Sequence, residues 1–271
     1  MAELLVIGGA SLDTLHLKDQ TITLAGGGGI YTCLAAIRSG ADAVLFAPKP
    51  EPMPAESIEV AVRLKAWIGP VIPPERMPRF EIEHRGEKAN YLKTFNDAEA
   101  ELTCELLPAD LGQYDFIHVT PLGDSKRQQE FLRACRERGA KRLSAGTYLC
   151  TLREQPEVVR QNMALADVFF MNEEEACLLF GTMDRVKTAA GKLLFVTLGA
   201  RGALVVQGDD HIRIDAVHTE VIDPTGAGDS FCGAVLAGLM TSLTPVKAAH
   251  KGSALAAEAI GDIGPDGLLE D

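Results

Sequence analysis

Basic side chains are scarce: 26 lysines and arginines stand against 38 aspartates and glutamates, a formal net charge of −12 over 271 residues. Sequence-independent nucleic-acid binding rests on basic groups that neutralise phosphates, so this balance argues against it, and an anionic ligand requires a local device instead. Long apolar runs are also missing. No stretch approaches the ~18 consecutive apolar residues of a membrane-spanning helix, and the opening MAELLVIGGA has no basic region followed by a long apolar one. A soluble cytoplasmic protein without a membrane partner is the expectation. The six cysteines, Cys33, Cys104, Cys135, Cys150, Cys177 and Cys232, contain no Cys-x-x-Cys and no Cys/His pair at zinc-ligand spacing. Neither a disulfide framework nor a structural zinc site fits them, which leaves buried reduced thiols. The histidines show no ligand spacing either and read as incidental. There is no Gly-x-x-x-x-Gly-Lys-[Ser/Thr] loop, and the glycines at 26–29 follow a polar hairpin pattern, so they are not a dinucleotide fingerprint after a buried first strand.

With 46% hydrophobic and 24% charged residues, the chain has the composition of a globular protein with a real core. The apolar run at residues 4–7 ends in Gly8-Gly9, and residues 116–119, 193–198 and 203–206 resemble it. Such runs read as strands buried on both faces. Amphipathic stretches of helical length lie between them, at residues 30–39, 58–67, 127–138 and around 235–240. Strands alternating with helices predict an α/β fold on a mostly parallel sheet. Residues 14–24 and 79–102 break the pattern. They alternate apolar and polar side chains around turn-like Lys18-Asp19-Gln20, Arg85-Gly86-Glu87 and Asn96-Asp97, which predicts half-exposed antiparallel strands. We read them as one small sheet, assembled from two insertions, on a single α/β body that spans residues 1–271. Proline-rich residues 48–54 and 70–78 are connectors.

The most informative stretch is IDPTGAGDSFCG at residues 222–233, followed by the helical AVLAGLM. Gly226 and Gly228 permit a sharp turn with successive N–H groups exposed, and the helix that follows aims its positive end at the turn. That makes an anion site without basic side chains. Asp229 would repel a phosphate there unless it served to take a proton. A hydroxyl attacking a phosphoryl group has such a proton, so Asp229 fits a general base beside a cradle of Gly226, Ala227 and Gly228. On spacing alone, the same residues fit equally well an ordinary glycine turn with Asp229 as a helix cap. Asn172 and Glu175 likewise spell a helix capping box, and Asp13 after the first strand is an ordinary turn residue.

DPTGAGDSF closely resembles the C-terminal signature of the PfkB, or ribokinase-like, family of carbohydrate kinases. Gly26-Gly27 with Arg38 and Gly40 resembles the family's N-terminal signature, and DVFFMNEEE at 167–175 resembles the strand leading to its N-x-x-E motif. VTLGARG at 196–202 is similar to its nucleotide-side loop, and Gly8-Gly9 with Asp13 to its first strand and substrate carboxylate. The resemblance runs from about residue 4 to residue 264. It implies a three-layer α/β/α fold with a mostly parallel central sheet and a small projecting β lid. It also implies transfer of the γ-phosphoryl group of ATP, with Mg²⁺, to a hydroxyl of a sugar, cyclitol or related polyol. A nucleoside kinase of the same fold, or a sugar or nucleotide sensor without turnover, are the alternatives.

Carried over residue by residue, the resemblance makes Asp229 the base and Gly226, Ala227 and Gly228 the anion hole. Asn172 and Glu175 would place Mg²⁺, largely through water. Thr197, Gly199 and Gly202 would line the ATP phosphates and ribose. Gly252 and Ser253 would border the adenine, or simply let helices pack closely. Asp13, Gly26, Gly27 and Tyr31 would receive the substrate, and a monovalent cation could sit near Asp223. Tyr31 stands where the family usually has Asn. A phenol stacks on apolar faces but lacks an amide's paired donor and acceptor, which argues against ribose itself. Packing of a nucleobase against Tyr31, Phe80, Tyr91 and Phe95 would suit the nucleoside alternative. The apolar lid residues Leu15, Leu17, Ile22, Leu24, Phe80 and Ile82 would either join two copies into a homodimer or cover the chain's own site.

Overall fold

The computed structural model describes residues 2–17, 20–85, 88–95 and 97–270, with the backbone alone at residues 84, 85 and 88–91. The turn residues Lys18, Asp19, Gly86, Glu87 and Asn96 and the side chain of Tyr91 lie outside the described residues.

Nine strands form the main sheet. In spatial order they are β15 (Asp210–Ile214), β14 (Ala203–Gln207), β13 (Leu193–Thr197), β12 (Val168–Asn172), β11 (Leu143–Gly146), β10 (Phe116–Val119), β1 (Glu3–Ile7), β4 (Asp42–Phe46) and β6 (Ala66–Ile68). The sheet is parallel from β13 through β6 and antiparallel at the β13·β14 and β14·β15 edge. Because side chains alternate along a strand, the apolar runs feed two cores. Leu4, Val6, Phe116, Phe170 and Phe195 enter one core, while Leu5, Ile7, Ile117, Phe169 and Leu194 enter the other. The first core is covered by α1 (Gly28–Arg38), α2 (Ala55–Arg63), α7 (Ala227–Met240), α8 (Pro245–Ala259) and α9 (Asp266–Leu269). The second is covered by α3 (Ser125–Glu137), α4 (Leu149–Glu154), α5 (Pro156–Leu165) and α6 (Glu173–Phe180). The result is the expected three-layer α/β/α architecture.

The second sheet has four strands, in the order β3 (Thr21–Gly26), β2 (Ser11–His16), β8 (Arg79–Arg85) and β9 (Lys88–Phe95). Both insertions contribute to it, as expected, but it is not wholly antiparallel. The two hairpins are joined by a parallel β2·β8 pair, with Leu15 opposite Ile82. The strand pattern also stops short of residue 102, since Asp97–Glu101 is a 3₁₀ turn. A two-strand ladder of β5 (Lys49–Pro50) and β7 (Val71–Ile72) ties the proline-rich connectors together.

One helix differs from its sequence pattern. Residues 58–67 read as a single amphipathic helix, whereas α2 ends at Arg63 and Leu64 turns extended. Ala66, Trp67 and Ile68 then pair with β4, which buries Trp67. Ile58 and Val62 stay exposed, while Val60 enters the core and Ala61 packs against it. An aromatic and a β-branched side chain gain more from a half-buried sheet edge than from another helical turn.

Candidate active site

The parallel strands β1, β10, β11, β12 and β13 end on one side, and the first turns of α1 and α7 meet them there. Such carboxyl ends are where open α/β sheets bind ligands. A cavity of about 720 Å³ opens among them, and its wall takes Phe80 and Thr94 from the four-strand sheet. Of the residues singled out in the sequence, it brings together Asp13, Gly27, Tyr31, Asn172, Glu175, Thr197, Gly226, Gly228 and Asp229. Gly26, Ala227, Gly199, Gly202, Gly252 and Ser253 do not line it.

Asp229 stands in the first turn of α7, half-buried, with its carboxyl pushed up to about 6 by burial. It is not the cap of that helix. The N-cap is Gly226, left-handed at φ 76°, with no side-chain cap bond. The first N–H groups of α7 are therefore free of a capping side chain at the cavity wall, where a Cβ on Gly228 would meet nothing within 4 Å. Thr225 Oγ1, buried in the same wall, has no hydrogen-bond partner among the described residues. An unpartnered hydroxyl, open space above Gly228 and the positive end of a helix together fit a phosphate oxyanion. Tyr31 buttresses this turn from below: a Cβ on Gly226 would lie 2.3 Å from the Tyr31 ring. On the other flank Gly28 opens α1, and a Cβ there would come 2.8 Å from Asp229 Oδ1. The loop before the turn is fixed by Asp223, whose Oδ1 accepts from Thr225 N–H at 2.8 Å and Oδ2 from Gly264 N–H at 2.9 Å.

Asp13 is buried on β2. Its Oδ1 accepts the Ser11 hydroxyl at 2.6 Å, and its carboxylate also takes the Gly27 N–H. Burial pushes its carboxyl up to about 7, with Ser11 pulling down and the Asp223 charge adding to the rise. Gly26 serves this group without facing the cavity, since a Cβ there would lie 2.0 Å from Asp13 Oδ2.

Asn172 and Glu175 do form a capping box on α6: Asn172 N–H donates to Glu175 Oε2 at 2.8 Å, and Glu175 N–H to Asn172 Oδ1 at 2.9 Å. Glu175 is nonetheless in the cavity wall. Burial first, then the neighbouring charges of Asp229 and Glu174, outweigh the Asn172 bonds and push its carboxyl up to about 7. Oxygen groups of this kind suit Mg²⁺. Among the described residues no three His, Cys, Asp or Glu side chains gather as metal ligands.

On the β13 side, Thr197 reaches the wall, Gly199 is exposed beyond it, and Gly202 makes room for β15, a Cβ there lying 2.0 Å from the Ile214 carbonyl oxygen. Gly252 and Ser253 are buried on α8, where a Cβ on Gly252 would press to 2.8 Å against both Phe231 and Val235 of α7.

Several wall residues carried no motif. Glu99 enters from the 3₁₀ turn after β9. His118, which read as incidental, lies in the floor. Its Nδ1 is 2.9 Å from Ser144 Oγ and 3.7 Å from Cys232 Sγ, and burial drops its pKa to about 3, so it is neutral. Thr147, Tyr148 and Cys150 follow β11. The expectation of buried thiols holds for Cys33, Cys135 and Cys232, while Cys104 and Cys177 are half-buried and Cys150 is exposed at the cavity. For Thr147, Tyr148 and Cys150 the signal that could have found them is topological, since they follow the carboxyl end of a parallel strand; His118 lies inside β10 and Glu99 follows a lid strand, and neither carried such a signal.

A family model described as pfkB family carbohydrate kinase matches residues 80–271. The chain is 26% identical over 252 residues to a cytidine kinase of Thermococcus kodakarensis, covering 88% of each. Its fold is similar to that of a probable sugar kinase from Rhizobium etli, with a TM-score of 0.83, 19% identity, and 97% of this chain and 94% of that one covered. An adenosine kinase from Sinorhizobium meliloti is similar as well, with a TM-score of 0.82, 19% identity, and 97% and 95% covered. No helix among the described residues is long and apolar enough to cross a membrane. With the matched segment extending over most of the sequence and the signature seated at the mouth of α7, the chain belongs to the pfkB family of carbohydrate kinases, phosphotransferases that act on an alcohol group and use ATP with Mg²⁺.

Proposed function

We propose that Asp229 takes the proton from an acceptor hydroxyl as that oxygen attacks the γ-phosphoryl group of ATP. The observation that carries this reading is its placement: a carboxylate pushed up to about 6, in the same helical turn as N–H groups that face the cavity at Gly226 and Gly228. A base with a pKa near the working pH accepts a proton effectively and still releases it. Fixed N–H dipoles offset the charge gathering on the phosphoryl oxygens, and phosphoryl transfer needs little beyond positioning and such stabilisation. Mg²⁺, when bound, neutralises phosphate charge; Glu175 and Asn172 are the residues we assign to its water shell. Thr197, with Gly199 beyond it, belongs in this reading to the nucleotide side, and Ala227 to the anion hole through its backbone.

The acceptor is a sugar, cyclitol or related polyol held by Asp13, whose carboxylate accepts from paired hydroxyls. A nucleoside is the second reading. Tyr31, Phe80, Tyr148 and Phe170 in the wall favour it, as flat apolar groups against which a base can stack, and so does the relative named a cytidine kinase. A sensor without turnover would have no use for a base beside its anion cradle. The four-strand sheet acts as a lid over its own chain's site, since Leu15 and Ile82 are already buried and Phe80 reaches the cavity. A homodimer through the lid would use Leu92 and Phe95, which are exposed, and the half-buried Leu17, Ile22 and Leu24.

The test is ADP release from ATP and Mg²⁺ across pentoses, hexoses, cyclitols and nucleosides, with Asp229→Asn alongside. Turnover on one class, lower by roughly three or more orders of magnitude in kcat for the variant while ATP binding is kept, is the expected result. Equal turnover by the two proteins would remove Asp229 from the role. Omitting K⁺ from the same assay tests whether a monovalent cation near Asp223 matters.

A further inference from the structure

We propose that Glu99 is a second acidic group at the acceptor end of the cavity, and that with Asp13 it selects a neutral polyhydroxyl acceptor over sugars bearing a phosphate or carboxylate. The inference rests on the kinase reading above and adds the charge class of its acceptor.

Glu99 occupies the 3₁₀ turn where lid strand β9 rejoins the body, is 8% exposed and lines the cavity. Its carboxylate accepts the Gly9 N–H. Its backbone is pinned by Arg127, whose guanidinium donates to the Glu99 carbonyl and, at 2.6 Å, to that of Leu102. Gly9 is also the glycine that touches Gly27, a Cβ on Gly27 falling 2.4 Å from the Gly9 carbonyl oxygen, and Gly27 N–H is the donor that Asp13 takes. The two carboxylates therefore hang from adjoining backbone amides at the ends of β1 and β3. Both are buried, and both line the cavity.

No cation stands in the wall beside them. Among the described residues neither a lysine nor an arginine lines the cavity, and His118 is neutral. Arg127 lies outside the wall, where it donates to main-chain carbonyls and its charge offsets part of the rise that burial imposes on the Glu99 carboxyl. A hydroxyl-rich neutral molecule satisfies such a site by donating to both acids. An acceptor with its own phosphate or carboxylate would bring a negative charge into a desolvated place where burial already holds Asp13 and Glu99 toward their neutral forms and no lysine or arginine lines the wall to pair it, which is costly. The anion-binding device of the cavity, the N–H groups opening α7, is taken by the transferring phosphoryl group.

The experiment compares matched acceptors, a neutral sugar or riboside against the same skeleton carrying a phosphate or carboxylate, by ADP release and by protection against thermal unfolding. Neutral members should exceed their anionic counterparts by at least about 100-fold in kcat/KM. Glu99→Gln, which keeps an acceptor for the Gly9 N–H, should raise the KM of the neutral acceptor by roughly 10- to 100-fold, with kcat and the KM of ATP nearly unchanged. Anionic members turned over within about tenfold of the neutral ones would overturn the proposal while leaving the kinase intact. So would a Glu99→Gln protein whose acceptor KM does not move. If neither class releases ADP, protection by neutral members alone would uphold the acceptor assignment and sink the kinase reading, and protection by anionic members would sink the assignment itself.

Discussion

With Asp229 as the proposed base, the demands of catalysis and of stability oppose each other at this residue. Burial holds its carboxyl at about 6, above the ordinary 3.8, so folding favours the protonated form. A group raised in the folded state stabilises fully below its unfolded pKa, and that contribution is lost as pH rises through the folded value. At pH 8 the protein thus carries a charged carboxylate that the unfolded chain would hold more easily. We expect nucleotide-free Asp229→Asn to melt at a higher temperature than the parent at pH 8, with the gap closing as pH falls from 6 toward 4. Calorimetric scans across that range check it, and a variant that melts lower at every pH would show that burial of this charge is not strained. The proposed roles also give an acid limb: kcat/KM should fall as pH drops and Asp13 and Glu175, at about 7, and then Asp229, at about 6, take protons. The glycine turn and its Asp stood out at short spacing, whereas Asp13 and the Asn-x-x-Glu pair read on their own as a turn residue and a capping box and became candidates through the family resemblance; the structure lines one cavity with all of them. Glu99 and His118 were not legible. A lone acid in a lid turn and a lone histidine in a buried strand look the same whether or not a cavity opens beside them, and only the order of strands brings them to one wall.

Two helices carry the geometry of that wall, and glycine decides how near they come. A Cβ on Gly233 of α7 would sit 2.2 Å from the Thr32 carbonyl oxygen of α1, and Thr32 Oγ1 reaches back to the Asp229 carbonyl at 3.3 Å. The first turns of both helices thus flank the Asp229 carboxylate because their middles touch. Gly233→Ala must push α1 and α7 apart, since the atom in the way is backbone and not a flexible side-chain end. The expected cost is about 1–3 kcal/mol of stability, by denaturant titration, accompanied by a loss of kcat larger than that of KM. A stable variant with unchanged kcat would mean that the two first turns are set independently of this contact. At this scale the sequence pattern was a good guide to buried strands, because a run apolar on every residue suits a parallel sheet covered on both sides. It failed at residues 58–67, where helical periodicity continues through a stretch that pairs with β4 instead. It also missed the parallel β2·β8 pair, since alternation marks a strand without saying which neighbour it will have or in which direction.

Over the whole molecule, the large sheet carries most of the cavity wall, and in the proposed reading the small sheet governs what else can enter. Water is present at far higher concentration than any acceptor, so a kinase has to keep it from the γ-phosphoryl group. The lid supplies Phe80 and Thr94 to the cavity wall, and its two hairpins are held to each other by the β2·β8 pairing. Leu15 and Ile82 face each other in that register and are buried, at 1% and 0% exposure, so they form the small core of the lid. Ile82→Ala would empty part of that core, at a local cost of about 2–5 kcal/mol. The nine-strand sheet and its two cores do not include Ile82, so unfolding of the body should begin at nearly the parent temperature. A loosened lid would instead appear in the chemistry: ADP release without any acceptor should rise by about tenfold relative to acceptor-dependent turnover, because closure no longer excludes water. Measuring both rates on the same preparation separates this from a general loss of fold, in which both would drop together. If acceptor-free hydrolysis stays at the parent level while the acceptor KM is also unchanged, the small sheet does not gate the site.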